Sequence, residues 1–300
     1  MTDAATPPGW GEVLSLLAAV AWAFAVILFR RSGEHVHPLG LGLFKNVLAA
    51  ACFLATIPLA GETLFRSAPA GDYALLLASG ALGIGLGDTL FFLALNTLGA
   101  GRVAIVDCLY SPFIIGLSML WLGERLTLAQ AAGAVMVLSA VLAITTEGWA
   151  APAERTAVAR GVLWGALALA CMAVGIVGIK PLLERSPLLW VTEIRLFGGI
   201  ALLAVVLALH PGRRAIIGSI RSPQRWRYTV SGSFVGTYVA MLFWLGGMKL
   251  AKASIAAALN QTSNVFIFAF AALFLRERIT RVRAAGLVLG VSGVLVILYA

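Results

Sequence analysis

The chain has 300 residues, of which 61% are hydrophobic and only 12% charged, and its mean hydropathy is +0.97. That composition excludes a soluble globular protein, which would lack the polar surface to stay dispersed. The formal charge of +9 falls mostly between apolar runs, so it marks membrane topology and lipid head groups rather than nucleic-acid binding.

Hydropathy divides the chain into ten apolar spans, at about residues 11–29, 39–59, 73–97, 102–122, 127–146, 161–180, 188–209, 228–248, 254–275 and 280–299. The first is expected not to be a cleaved signal, because no Lys or Arg precedes it and Arg30-Arg31 follows it. In the second span Lys45 stands among apolar neighbours. The third carries Ser79, Gly83 and Gly87, a ladder of small residues that lets helix backbones approach closely in lipid, and then Asp88, Phe91 and Phe92. The fourth carries Asp107, Tyr110, Ser111 and Pro112, where the proline is expected to kink the helix. The seventh holds Glu193 and Arg195, the eighth Tyr238, and the ninth the amides Asn260, Gln261 and Asn264.

The fourth and fifth spans recur as the ninth and tenth. Leu120-Trp121-Leu122-Gly123-Glu124-Arg125-Leu126-Thr127 returns 153 positions later as Leu273-Phe274-Leu275-Arg276-Glu277-Arg278-Ile279-Thr280. Phe113 and Ile114 fall on Phe266 and Ile267, and Ala131-Ala132-Gly133 falls on Ala284-Ala285-Gly286. An offset of 150 places Gly11 and Arg30 on Gly161 and Lys180, and Lys45 on Arg195. The expected organisation is therefore an all-α polytopic membrane protein of ten helices in two five-helix repeats, residues 1–150 and 151–300. Five passes is an odd number, so the second repeat must lie upside down relative to the first. Inverted repeats around a central cavity are a recurring plan of secondary transporters.

Lys and Arg are concentrated in the loops that hold Arg30, Arg31, Arg102, Arg155, Arg160, Arg213, Arg214 and Arg276, and those loops are expected to be cytoplasmic. Both termini then lie on the outer side.

Residues from Ala104 through Gly123-Glu124-Arg125-Leu126-Thr127 to Gly133 resemble the signature of EamA-type transporters, of the drug/metabolite transporter superfamily. The stretch from Ala257 through Arg276-Glu277-Arg278-Ile279-Thr280 to Gly286 resembles the second unit of that family, with Arg276 where the first copy has Gly123. The resemblance implies two inverted five-helix units around a central cavity, in a bacterial cell inner membrane. It also implies export or exchange of small metabolites by alternating access, with amino acids, aromatic ones included, as the leading substrates. Sugar-phosphate and nucleotide-sugar carriers are distant relatives of this shape. The implied partners are a small-molecule substrate and the bilayer, with no cofactor, no nucleic acid, and a monomeric or homodimeric state; Gly286 and Gly290 are one candidate dimer face.

Ionisable groups inside a membrane are costly, by roughly 2.5–3.5 kcal/mol on insertion scales, so each needs a reason. Asp88 is read either as a cavity carboxylate, binding a substrate ammonium or a coupling proton, or as the structural partner of Lys45. Asp107, matched by Asn260 in the second repeat, is a second candidate for proton coupling, or else a residue favouring the dipole near the start of its helix. Lys45 and Arg195 either snorkel to their interfaces or grip a substrate anion. Trp22, Phe91, Tyr110 and Tyr238 are candidate aromatic walls, and Asn260 and Asn264, four apart on one face, are candidates for reading polar substrate atoms. Glu124 and Glu277 are expected to pair with the arginines beside them. His35 and His37 lie in a short loop and make no zinc site, and Cys52, Cys108 and Cys171 lack ligand spacing.

These residues support two transport readings: a metabolite exporter centred on Asp88, and an organic-anion or sugar-phosphate carrier centred on Lys45 and Arg195. An intramembrane aspartyl enzyme is disfavoured because Asp88 and Asp107 share no motif on equivalent helices. A purely structural membrane protein would have no need of buried acids and amides.

Overall fold

The computed structural model describes residues 9–122, 127–146, 152–221, 226–250 and 259–299, and these are mainly helical, with no strand among them. Helix is what hydrocarbon demands of an apolar run, since each backbone N–H and C=O must be satisfied within the segment. Nine of the described helices are long and apolar enough to cross a membrane. In chain order the helices are α1 (Trp10–Ser32), α2 (Pro38–Leu59), α3 (Ala70–Leu98), the half-helices α4 (Ala100–Asp107) and α5 (Tyr110–Leu122), α6 (Leu128–Thr146), α7 (Pro152–Val177), α8 (Leu188–Leu209), α9 (Trp226–Met248), α10 (Ser263–Leu275) and α11 (Arg281–Tyr299). Residues 123–126 of the first hairpin, Glu124 among them, and Ala257 lie outside the described residues.

Helix ends follow the local sequence. Arg30 and Arg31 close α1 where the dipole favours cations. Pro38 opens α2 at the first turn, where a missing N–H costs nothing. Gly99, at φ 81, is the single residue between α3 and α4, and its left-handed backbone suits glycine. Arg276 also takes a left-handed conformation, at φ 56, and stands where the first repeat has Gly123.

The packing comes in equivalent pairs. α1 lies along α9, and α3 lies along α7; α2 packs on α8, and α6 on α11. The small-residue ladder of α3 brings helices close, as expected: Gly83 and Gly87 face Met172 on α7, and Gly175 sits against the backbone of Ser79 and Gly83. Gly232 and Gly236 on α9 face Leu28, Phe29 and Ala25 of α1 in the same manner. Gly286 and Gly290 are not an outer face. They pack on Ile105, Cys108 and Ala140 within the chain, which corrects the expectation of a dimer surface there.

Two ends of the bundle are distinguishable. At the arginine-rich end Ser32 Oγ meets Thr229 Oγ1 at 2.6 Å, Arg31 Nη2 donates to the Phe274 carbonyl at 2.8 Å, and the rings of His37 and His210 lie 6.0 Å apart. At the other end Arg185 Nη2 binds both oxygens of Asp72, at 2.8 and 2.9 Å, and Trp190 Nε1 donates to the Leu64 carbonyl at 2.9 Å. The start of α2 thus meets the end of α8, so these two helices are antiparallel, and α4 and α10 are related in the same way.

α3 and α8 approach backbone to backbone. A Cβ on Gly198 would collide with the Leu77 carbonyl, and one on Gly80 with the carbonyl of Arg195. Gly198→Val is expected to cost at least about 1–3 kcal/mol by forcing these helices apart. The expected result is a lowered thermal midpoint and folded yield in detergent, with Gly116→Ala, which meets open space, unchanged.

His37 accepts the Leu39 N–H on Nδ1, and His210 accepts the Gly212 N–H on its own Nδ1, so both caps need an unprotonated ring nitrogen. Burial, and then the charge of His210, lower the His37 pKa from its ordinary 6.5. A depressed histidine contributes nothing above the unfolded value of 6.5, and destabilises as pH falls from there through the folded value. Hydrogen exchange at the first amides of α2 is therefore expected to quicken below pH 6.5 relative to that chemistry's intrinsic rate, and His37→Asn, which keeps a cap oxygen, should abolish the dependence.

Candidate functional site

Asp107, one of the ionisable residues of the spans, stands at a helix break. α4 ends at Asp107 and α5 begins at Tyr110, with Cys108 and Leu109 between them. Pro112 accounts for the interruption, because its ring displaces the carbonyl of Cys108 and it has no N–H to offer. The ninth span is interrupted too, by a turn at Thr262, although Val265 stands where Pro112 would be. There Thr262 Oγ1 donates to the Leu259 carbonyl at 2.5 Å, Thr262 N donates to the same carbonyl at 3.1 Å, and Val265 N donates to the Thr262 carbonyl at 3.0 Å, both backbone bonds reaching three residues back rather than four. The kink expected at Pro112 is thus matched by a turn in the ninth span, where no proline is present. Discontinuous helices of this kind leave backbone groups and side chains free at mid-membrane, where transport sites are built.

A second pair of irregularities supports the site. α3 becomes π-helical over Ala81–Gly87, immediately before Asp88, and α9 does so over Phe234–Val239. Such turns widen the helix and re-aim the side chains beyond them, and they recur at functional positions.

Asp88 Oδ2 lies 2.7 Å from Lys45 Nζ, and both side chains are buried. Lys45 also donates to Asn46 Oδ1 at 3.1 Å and sits 5.9 Å over the Phe92 ring. It is held in the interior and does not snorkel. Asp88 is thus placed with the partner that the structural reading of it named. Arg195, one level away, donates from Nε to Ser79 Oγ at 3.0 Å, and Ser79 in turn donates to the Gly175 carbonyl at 2.6 Å. Its Nη2 lies over Gly83, where a Cβ would stand 3.5 Å away. Arg195 is within electrostatic range of Asp88 and Tyr110, and Tyr110 of Asp107.

Asp107 is the last residue of α4 rather than part of a first turn, which corrects the dipole reading. The Asn264 amide lies beside its carboxyl, and Asn264 Nδ2 also reaches Cys108 Sγ at 3.6 Å and Gln261 Oε1 at 3.5 Å. Asn264 Oδ1 is buried without a hydrogen-bond partner. Asn260, one turn earlier, is half-buried.

Trp22 on α1 packs at 6.2 Å between centroids against Phe91, which follows Asp88 by three residues on α3. Tyr238 sits elsewhere: its hydroxyl is held by Thr56 Oγ1 at 2.7 Å, and its ring packs on Phe53 at 5.3 Å. The structure therefore gathers Lys45, Asp88, Phe91, Trp22, Arg195, Tyr110, Asp107 and Asn264, and leaves Tyr238 between α2 and α9.

Three residues have surroundings that the sequence does not indicate. Ser79 reads as one step of a packing ladder, yet it anchors Arg195. Glu193 is fully buried on α8, and neither carboxyl oxygen has a hydrogen-bond partner. Glu277, expected to pair with neighbouring arginines, instead turns to backbone amides of another helix: Ala100 N and Gly101 N donate to its two oxygens at 2.9 and 3.0 Å. Among the described residues no cluster of three or more His, Cys, Asp or Glu could hold a metal ion, and the three cysteines are free.

The comparisons agree with this architecture. A solved crystal structure superposes with a TM-score of 0.65 at 20% identity, covering 95% of each chain, a likeness of fold alone. An uncharacterised transporter of Archaeoglobus fulgidus is 25% identical over 287 residues, covering 95% of this chain and 97% of that one. An uncharacterised protein of Pseudomonas aeruginosa is 37% identical over 148 residues, covering 46% of this chain and 49% of its own. The family description "EamA-like transporter family" matches residues 9–146 and again 159–299. Those two matches span nearly the whole of a polytopic helical membrane protein, and the chain belongs to the EamA-like transporter family.

Proposed function

We propose that the chain is a secondary transporter that exports or exchanges small zwitterionic metabolites, amino acids first among them, by alternating access. The observation that carries this is Asn264 beside Asp107 at the break between α4 and α5, with Tyr110 within electrostatic range of both Asp107 and Arg195. A guanidinium suits a substrate carboxylate and Asp107 suits an ammonium. Tyr110, Trp22 and Phe91 offer aromatic surface, and Asn260 and Asn264 offer amides to polar atoms. The Lys45–Asp88 pair beside them is a switchable element: a substrate charge or a proton arriving at Asp88 loosens Lys45. Asp107 is the second carboxylate available for proton coupling.

The two family matches, the odd number of passes and the equivalent helix pairings support two units, residues 1–150 and 151–300, rocking about the shared site. The arginine-rich loops are assigned to the cytoplasm and both termini to the outer side of a bacterial inner membrane. The anion-carrier reading, with Lys45 and Arg195 as joint phosphate ligands, is the weaker one because Lys45 is already engaged by Asp88.

The test is counterflow in proteoliposomes with a panel of amino acids, organic anions, sugar phosphates and amines, at two pH values. Exchange confined to zwitterions supports the reading, and exchange confined to anions overturns it in favour of the second.

A further inference from the structure

We propose that Glu277 is the latch of the gate at the arginine-rich end, holding that end closed by capping the first turn of α4. This rests on the alternating-access reading. The residue belongs to the turn after α10 in the second half of the chain, and the amides it binds belong to the first half, so the contact can only persist while the two helices are together.

The geometry is specific on both sides. Oε1 accepts from Ala100 N at 2.9 Å and Oε2 from Gly101 N at 3.0 Å, a fork that satisfies two of the donors a helix start leaves free. The positive end of the α4 dipole adds attraction for a carboxylate. On the receiving side the glycines keep the approach open: a Cβ on Gly99 would stand 2.7 Å from Oε1, and one on Gly101 3.0 Å from Oε2. On the presenting side the chain reverses sharply after α10, with Arg276 left-handed at φ 56 and Glu277 N donating back to the Ala271 carbonyl at 3.1 Å.

Two further contacts close the same end. Arg31 Nη2 at the end of α1 holds the Phe274 carbonyl at 2.8 Å, and Phe24 meets Phe274 edge-on at 6.1 Å. Just inside the latch, Phe268 and Ala271 of α10 pack against Gly101, and Ala271 is buried. Past the break the picture changes. α5 leans on α7, its residues 112–117 are half-buried, and Gly116 faces open space. The contacts of the latch and its neighbours all lie at the arginine-rich end, and packing is looser on α5 beyond the break.

The bonds suit a gate rather than a permanent strut. Charge-assisted bonds are strong when water is excluded, but a carboxylate and two amides are well solvated once the end opens, so the net cost of parting is modest. A bistable contact of this strength sets populations without locking them.

The experiment needs no substrate. A version lacking the three native cysteines carries Ala271→Cys as a reporter behind the latch, and a second version carries Ala49→Cys as a buried reporter between α2 and α8, away from it. Both are placed in nanodiscs, where each face is open to reagent, and labelled with a membrane-impermeant maleimide. Glu277→Ala is expected to speed labelling at residue 271 by about tenfold, and Glu277→Gln, which keeps one acceptor oxygen, by less, with residue 49 unchanged. An unchanged rate at residue 271 overturns the latch, and equal acceleration at both reporters overturns it too, since Glu277 would then only hold the fold. Counterflow in the native chain is read separately, so loss of the latch and loss of the transport reading give different results.

Discussion

Replacing Asp88 by Asn is expected to damage the protein more than removing the whole ion pair. Lys45 Nζ lies 2.7 Å from Asp88 Oδ2, and the two side chains are only 5% and 13% exposed. Taking away one member of a buried pair leaves an uncompensated charge and typically costs about 3–5 kcal/mol, whereas replacing both by apolar groups of similar volume is often neutral. Asp88→Asn and Lys45→Met should each lower the thermal midpoint and the yield of monodisperse protein in detergent. The double variant Lys45→Met with Asp88→Leu should recover most of both. Its transport separates the roles of the pair: a well-folded but inactive double variant means that the charges take part in the cycle, and full counterflow means that they only join α2 to α3. If the single and double variants melt alike, the two charges do not act as one energetic unit.

That pair also shows where reading the sequence stops. Lys45 and Asp88 are each conspicuous as charges in apolar spans, and pairing is one of two readings of Asp88, but nothing in spacing decides between them. The residues are on different helices, and only packing brings them together. The spans themselves are legible because the thickness of hydrocarbon fixes helix length, and observed bounds such as Pro38–Leu59 and Leu188–Leu209 fall within a residue of the apolar runs. Small residues announce close helix contacts, and Gly83, Gly232 and Gly236 make them.

Irregular backbone without a proline leaves no such trace. The π-helical turns before Asp88 and around Gly236 have no composition that distinguishes them from other glycine-bearing helix. The break at Thr262 is hidden because the obvious breaker, proline, is present only in the first copy. There the hydroxyl takes the Leu259 carbonyl, and a side chain does locally what a proline does by exclusion. Glu277 misleads for a similar reason. A carboxylate beside arginines invites an ion pair on paper, but an exposed pair is worth little. Two free amides at the start of a helix distant in sequence offer a better-shaped partner, one with no linear signature.

Arg195→Gln is expected to change which substrates are accepted more than whether the protein folds. The guanidinium is anchored from below by Ser79, which is itself held by the Gly175 carbonyl, so one edge is fixed and its orientation is set before any ligand arrives. Such preorganisation favours a planar anion on the remaining nitrogens. Loss of a charged hydrogen-bonding partner is worth about 1.5–3 kcal/mol, or roughly a tenfold to 150-fold rise in the half-saturating concentration of a carboxylate-bearing substrate. An amine of the same skeleton without the carboxylate should be nearly unaffected. Asp107→Asn should do the reverse, weakening substrates through their ammonium and sparing those without one, because a carboxylate complements a cation as the guanidinium complements an anion. Arg195→Lys keeps the charge but loses the planar fork, so it should fall between wild type and Arg195→Gln, and Ser79→Ala should mimic it by releasing the anchor. Competition counterflow with matched pairs of zwitterion, amine and acid reads all four variants. Equal losses on all three substrate types would place Arg195 in the framework of α3 and α8 and take it out of the binding site.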